Sequence, residues 1–84
     1  MQILAIDPGN TESGYAVIKM PEFELLEFGK VENERLLGFL PYLAWQCDDF
    51  AIEMVASYGL PVGKDVFETC VWIGRFVHNF WPAM

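Results

Sequence analysis

The chain has 84 residues, 54% of them hydrophobic and 15% aromatic, so we expect one small folded domain, or part of one, rather than a disordered tail. Its 12 acidic and 5 basic residues give a net charge of -7, which excludes a protein that coats nucleic acid through a basic surface. No apolar run reaches the ~18 residues of a membrane span. The N-terminus has no basic segment before an apolar stretch, and Asp7 comes early, so we expect no signal peptide. Cys47 and Cys70 are too few for a disulfide scaffold and are not spaced for zinc, so we expect a cytoplasmic protein.

Three short apolar segments open the chain and predict a meander of antiparallel strands over residues 2–6, 14–19 and 23–29. Asp7-Pro8-Gly9-Asn10 predicts a turn between the first two, because proline presets φ and glycine accepts positive φ. Glu24 and Glu27 in the third segment favour an edge strand or a bulge.

The second half of the chain changes to helical spacing. Residues 31–46 predict a helix capped by Asn33, which Pro41 would kink or divide into two short helices. Residues 50–55 predict a fourth strand parallel to the first, because it is reached through a helix. A loop follows, and residues 65–80 predict a second helix that is apolar nearly all round and therefore buried on more than one side. The order β-β-β-α-β-α predicts an α/β unit with a mixed sheet.

Two carboxylates are the residues most suited to chemistry. Asp7 follows the first strand, and Glu53 interrupts the apolar fourth strand, where an unpartnered charge is costly. If these strands are parallel neighbours, both side chains lie at one end of the sheet, roughly 4–8 Å apart, where a divalent cation could join them. Asp7 alone would also suit an ordinary Asp-Pro-Gly turn.

The motif Ile3-Leu4-Ala5-Ile6-Asp7-Pro8-Gly9, followed by Ser13-Gly14-Tyr15-Ala16-Val17-Ile18, resembles the opening of RuvC-type Holliday junction resolvases. Ala51-Ile52-Glu53, with Val62-Gly63 and Ile73-Gly74 downstream, resembles the second motif of that family. The resemblance spans nearly the whole chain and is greatest to phage or prophage members.

The resemblance implies an RNase H-like fold, a homodimer, and cleavage of branched DNA by four carboxylates with Mg²⁺ or Mn²⁺. Asp7 and Glu53 would be the first two carboxylates, as catalytic residues and metal ligands, with Asp7 bridging two ions ~3.5–4 Å apart. The other two would follow on a later strand and helix. We therefore expect residues 1–84 to form a single, incomplete RNase H-like domain that binds metal weakly.

Contacts to DNA are less evident in the sequence. The family often has an aromatic residue three positions after the glutamate, where this chain has Ala56. Tyr58 is the nearest aromatic side chain able to stack on a base, and Lys64 could bind a phosphate. Tyr58 could equally pack on its own domain.

Two other functions fit the sequence. The missing carboxylates and the charge of -7 favour a binding or assembly module with the same fold and no catalysis. An actin-like phosphotransferase, with residues 7–10 as a phosphate loop, would need two large domains.

The apolar second helix also predicts association. One sheet face covers only part of a helix of this kind, so we expect a homodimer or higher oligomer. Trp72, Phe76 and Phe80 are the predicted interface anchors, since aromatic residues are enriched at interfaces.

Overall fold

In the part of the chain that the structure describes, four strands form one mixed sheet and two helices accompany it. The first strand lies between the second and the fourth, and the third flanks the second at an edge. The structure, a computed structural model, describes residues 1–54 and 63–80. Its elements in chain order are β1 (Gln2–Asp7), β2 (Glu12–Lys19), β3 (Glu24–Glu32), α1 (Asn33–Gln46), β4 (Asp49–Ile52) and α2 (Lys64–Phe80). The predicted order and the antiparallel meander are confirmed.

The first and fourth strands pair in parallel, as predicted. Ile3 stands opposite Asp49, and Ile6 opposite Ile52. Asp48 fixes the start of this pairing, because its backbone N–H donates to the Gln2 carbonyl at 2.8 Å and its carboxylate accepts from the Gln2 N–H at 2.8 Å. Asp48, one residue before the first pair of the ladder, therefore helps to fix the register of β4.

Both helices pack on the same face of the sheet. Strand residues on that face contribute Leu4, Ile6 and Val17 to the core. Helical spacing turns one stripe of each helix onto them. The buried apolar residues of the two helices are Leu36, Leu40 and Leu43 from α1, and Ile73, Phe76 and Phe80 from α2. No described element covers the opposite face.

The meander extends further than the sequence indicates. β3 continues to Glu32, because Ser13 of β2 still pairs with Val31 and Glu12 with Glu32. The register shifts between Val17 and Ile18, so β3 carries a bulge, and β3 is an edge strand, as its glutamates suggested. The prediction that this strand ends near residue 29 was wrong.

Helix α1 also departs from prediction. It is one continuous helix with Pro41 inside it, so the division into two short helices was wrong. Asn33 is its first residue rather than a cap, and the preceding Glu32 makes no side-chain capping bond. The Asn33 side chain instead reaches back to the first turn of the chain.

Helix α2 is buried along one stripe rather than on several sides. Phe67, Val71 and Val77 are exposed, although the sequence places apolar residues all round. Burial requires a facing element, and the sheet with α1 faces only one side. Neither described helix is long and apolar enough to cross a membrane.

Candidate metal and nucleic-acid site

Asp7 and Glu53 lie side by side at one end of the sheet. The Glu53 N–H donates to the Ile6 carbonyl at 3.2 Å, which carries the parallel pairing one residue beyond the end of β4. Because side chains alternate along a strand, Asp7 shares a face with Ala5, and Glu53 shares it with Ala51. Adjacent strands are about 4.8 Å apart, so the two carboxylates extend from neighbouring positions.

Neither carboxylate has a partner within the described residues. Both are exposed, and neither accepts a hydrogen bond nor forms an ion pair there. Two adjacent negative charges repel each other unless a cation or a proton lies between them. The pair is thus available to an external ligand.

The carboxylates border the open face of the sheet, the face that no described helix covers. Its middle is a row of small side chains, since Ala51 pairs with Ala5 and Ala5 with Ala16. A shallow depression of about 340 Å³ lies beside this row, with Asp7 at one margin and Phe28 at the other.

Gly14 keeps the space beside Asp7 clear. It pairs with Asp7 across β1 and β2, and a Cβ placed on it would lie 3.8 Å from the Asp7 Cβ. That is an ordinary contact distance, so the position tolerates a methyl group but loses room for a ligand. Gly9 differs, because a Cβ there would overlap the Glu12 carbonyl oxygen.

Lys30 is a candidate that sequence reasoning missed. Strand pairing places Gly14 between Asp7 and Lys30, so all three lie in one row on the open face. Lys30 is exposed and forms no ion pair within the described residues. Two strand spacings, about 10 Å, separate its backbone from that of Asp7. The alternation of side chains along β3 could have indicated which face Lys30 occupies. Assigning that face, however, requires the strand register across the bulge.

The other predicted nucleic-acid residues are less informative. Tyr58 lies outside the described residues. Lys64 is highly exposed at the start of α2 and approaches Glu68 at 3.9 Å. No group of three or more His, Cys, Asp and Glu side chains in residues 1–54 and 63–80 is arranged to hold a metal ion. Asp7 and Glu53 thus have no third protein ligand among these residues.

The predicted interface anchors lie largely in the core. Phe76 is fully buried and Phe80 is 6% exposed, with the Phe80 ring stacked on Phe50 at 4.6 Å between centroids. Trp72 is half-buried, and the Arg75 guanidinium lies over its ring at 4.7 Å. In this fold Phe76 and Phe80 stabilise the domain itself and are not presented to a second copy.

Two titratable groups on the helix-covered side have shifted pKa values. Burial, followed by the hydrogen bond and charge of Glu27, raises the pKa of the Tyr15 phenol. Burial also raises the pKa of the Cys47 thiol, and the charges of Asp48 and Glu27 add to the effect. Cys47 therefore stays a protonated packing residue, and neither group takes part in the carboxylate site.

Comparison with known proteins supports the fold. No protein-family model matches the chain, and no curated protein matches it. Among solved structures it is similar to RuvC from Thermus thermophilus, with a TM-score of 0.69 at 16% identity. The match covers 99% of this chain and 59% of the RuvC chain. The chain therefore has the RNase H-like fold of RuvC across the elements that it shares, and it spans less than two thirds of that protein.

The two glycines predict opposite effects of alanine. Gly14→Ala should leave the free energy of unfolding unchanged or raise it by about 0.5–1 kcal/mol, because alanine restricts the unfolded chain and fits the strand. Gly9→Ala should lower it by more than about 1 kcal/mol, because the turn must open to accommodate the methyl group. Urea denaturation of both variants measures the difference. Equal stability of the two would show that the turn is not as tight as described.

Proposed function

We propose that this chain belongs to a metal-dependent endonuclease that acts on branched DNA, and that Asp7 and Glu53 are its first catalytic carboxylates. The observation that carries the proposal is the unpartnered carboxylate pair at adjacent parallel positions of a RuvC-type sheet. The resemblance of the first motif to phage and prophage resolvases is part of the same proposal.

The donor set fits a hard divalent cation. Both ligands are carboxylate oxygens at an exposed sheet end, and oxygen ligands suit Mg²⁺ and Mn²⁺. Magnesium is commonly held by one or two carboxylates together with substrate phosphates and water. Asp7 and Glu53 would hold the ion, which when bound would activate water and stabilise charge on a phosphate. With two protein ligands, affinity in the absence of DNA should be on the order of millimolar or weaker.

Charge gives Lys30 a role in this arrangement. The chain carries a net charge of -7, so its overall field repels DNA. Binding at the carboxylates therefore depends on the cation, and on positive charge close to the same face. Lys30 lies on the row that contains Asp7 and Gly14, where an ammonium group could contact a phosphate next to the metal-bound one.

The exposed stripe of α2 supports a homodimer through a surface other than the one first predicted. Phe67 is 63% exposed and Val71 is 55% exposed, one turn apart on the helix. Gly74 follows on the same stripe, and a Cβ there would meet nothing within 4 Å. A second copy of the chain could therefore approach closely, with its own α2 stripe covering Phe67 and Val71.

A non-catalytic binding or assembly module is the second candidate function. It is favoured by the absence of a third metal-binding side chain near the carboxylates among the described residues. Such a module would recognise branched DNA through the same open face without hydrolysing it.

Cleavage of a synthetic four-way junction distinguishes these functions. We expect Mn²⁺- or Mg²⁺-dependent nicking of the junction in preference to a linear duplex of the same sequence. Asp7→Asn or Glu53→Gln should lower the rate at least about 100-fold, because each removes a ligand of the cation that would stabilise charge on the reacting phosphate. Cation-dependent junction binding without nicking would favour the binding module. Mn²⁺ affinity unaffected by either substitution would place the metal elsewhere.

Lys30 and Lys19 provide a matched pair for the DNA contact. Lys30→Gln should weaken junction binding and reduce the salt dependence of log K by about one counterion. Lys19 is exposed at the opposite end of β2 and lies 4.0 Å from Glu22, so Lys19→Gln should change neither quantity. Filter binding at several salt concentrations measures both. Identical salt slopes for the two variants would argue against a phosphate contact at Lys30.

The dimer has its own test. Light scattering at micromolar concentration should give twice the 9.6 kDa mass of one chain. Phe67→Glu should shift the mass to that of the monomer without unfolding the chain, because the side chain is exposed in the isolated fold. Trp45 is 90% exposed on α1, so Trp45→Glu is the control and should leave the dimer intact. A wild-type chain of monomeric mass would contradict the proposal.

A further inference from the structure

A buried polar cluster closes the turn that follows Asp7. Ser13 and Asn33 are each 1% exposed, although both side chains are polar. The Ser13 hydroxyl donates to Asn33 Oδ1 at 2.6 Å and accepts from the Gly9 N–H at 3.1 Å. Asn33 Nδ2 donates to the Gly9 carbonyl at 2.8 Å. We call the side chains of Ser13 and Asn33 the polar latch.

The latch holds both backbone polar groups of Gly9, two residues after Asp7. The Asn33 backbone N–H also donates to the Thr11 carbonyl at 2.8 Å, so the turn is bound at a second point. Asn33 begins α1, and Ser13 lies in β2. The turn is thereby joined to a helix and a strand that are themselves anchored in the core.

The latch lies on the face of the sheet opposite the carboxylates. Ser13 alternates with Gly14, which shares the open face with Asp7. Ser13 and Asn33 therefore cannot touch a cation at Asp7 and Glu53, and any effect on that cation passes through the backbone of residues 7–9. An apolar pair at these positions would leave the Gly9 N–H and carbonyl without these two partners, which costs free energy where the groups are shielded from water. The hydrogen bonds of the two polar side chains also fix the orientation of the turn backbone.

We propose that Ser13 and Asn33 are positioning residues that fix the Asp7 turn in the geometry needed for divalent-cation binding. The proposal rests on the proposed function, because the site that they position is the Asp7–Glu53 pair. It assigns to Asn33 a role in the carboxylate site rather than in capping α1. The turn that they hold is tight, because a Cβ at Gly9 would overlap the Glu12 carbonyl oxygen.

The test compares variants that lose hydrogen bonds of the polar latch with a variant that loses a buried hydroxyl in α2. Ser13→Ala and Asn33→Asp each remove part of the latch, since an aspartate would face the Gly9 carbonyl with an acceptor. Thr69→Val is the control, because Thr69 is also buried and its hydroxyl donates to the Asp65 carbonyl at 2.8 Å, within α2. Ser13→Thr keeps the hydroxyl and is the conservative variant. Mn²⁺ affinity is measured from the paramagnetic broadening of the NMR signals of Asp7 and Glu53. The measurement is made well below the melting temperature of each variant.

We expect Ser13→Ala and Asn33→Asp to weaken Mn²⁺ binding about 10-fold, as substitutions behind metal ligands do. Exchange of the Gly9 amide proton should accelerate in both variants. Ser13→Thr should restore both quantities, and Thr69→Val should lower the melting temperature without changing either. Wild-type Mn²⁺ affinity in both latch variants, with binding still lost in Asp7→Asn, would overturn the positioning role.

Failure of the proposed function gives a different result. If Asp7→Asn leaves Mn²⁺ affinity unchanged, the cation site is not at Asp7. The polar latch is then tested only through the conformation of the turn backbone. Shifted Asp7 signals together with faster Gly9 exchange in Ser13→Ala would then support the latch as the device that positions the turn. Unchanged Asp7 signals would overturn it independently of any metal.

Discussion

The parallel pairing of β1 and β4 is the interaction on which the carboxylate site depends. It is bound at one end by Asp48, which bonds to both backbone polar groups of Gln2, and at the other by the Glu53 N–H on the Ile6 carbonyl. A slip of one residue would turn Glu53 to the helix-covered face, because side chains alternate along a strand. Register, rather than proximity in the sequence, thus places Glu53 beside Asp7.

The same sheet divides the molecule into two unlike faces. One face carries the core beneath both helices, and the other carries a central row of small side chains, with the carboxylates and Lys30 at one end of that face. The row of Ala51, Ala5 and Ala16 offers little hydrophobic area, so it does not compete with the core for burial. The fold can therefore leave this row of alanines open without losing much stability, while the polar latch lies on the covered side.

Local chemistry predicted much of the fold, and long-range contacts explain what it missed. The Asp-Pro-Gly turn, the apolar strands and the helical crossover were enough for the order of elements and for the adjacency of Asp7 and Glu53. The sequence could not show that Phe76 is buried and Phe67 exposed, because α2 has apolar residues on all sides. The side that is buried is determined by the sheet that faces the helix. Asn33 was misinterpreted as a cap since its partners, Ser13 and Gly9, are 20 and 24 residues away. Lys30 needed the strand register across a bulge, which no local pattern encodes.

The acidity of the chain is consistent with nucleic-acid binding when the cation is treated as part of the surface. A net charge of -7 opposes a polyanion, and the adjacent carboxylates add repulsion at the point of contact. A divalent ion between them would neutralise the two carboxylates and offer open coordination positions to a phosphate, an attraction that a basic surface would otherwise provide. Affinity would then be confined to phosphates that reach the ion, with Lys30 as the nearby positive charge on the same row. Such a chain would bind DNA only at the end of the sheet where Asp7, Glu53 and Lys30 lie in one row across the strands, and the negative charge elsewhere would suppress non-specific binding along a duplex.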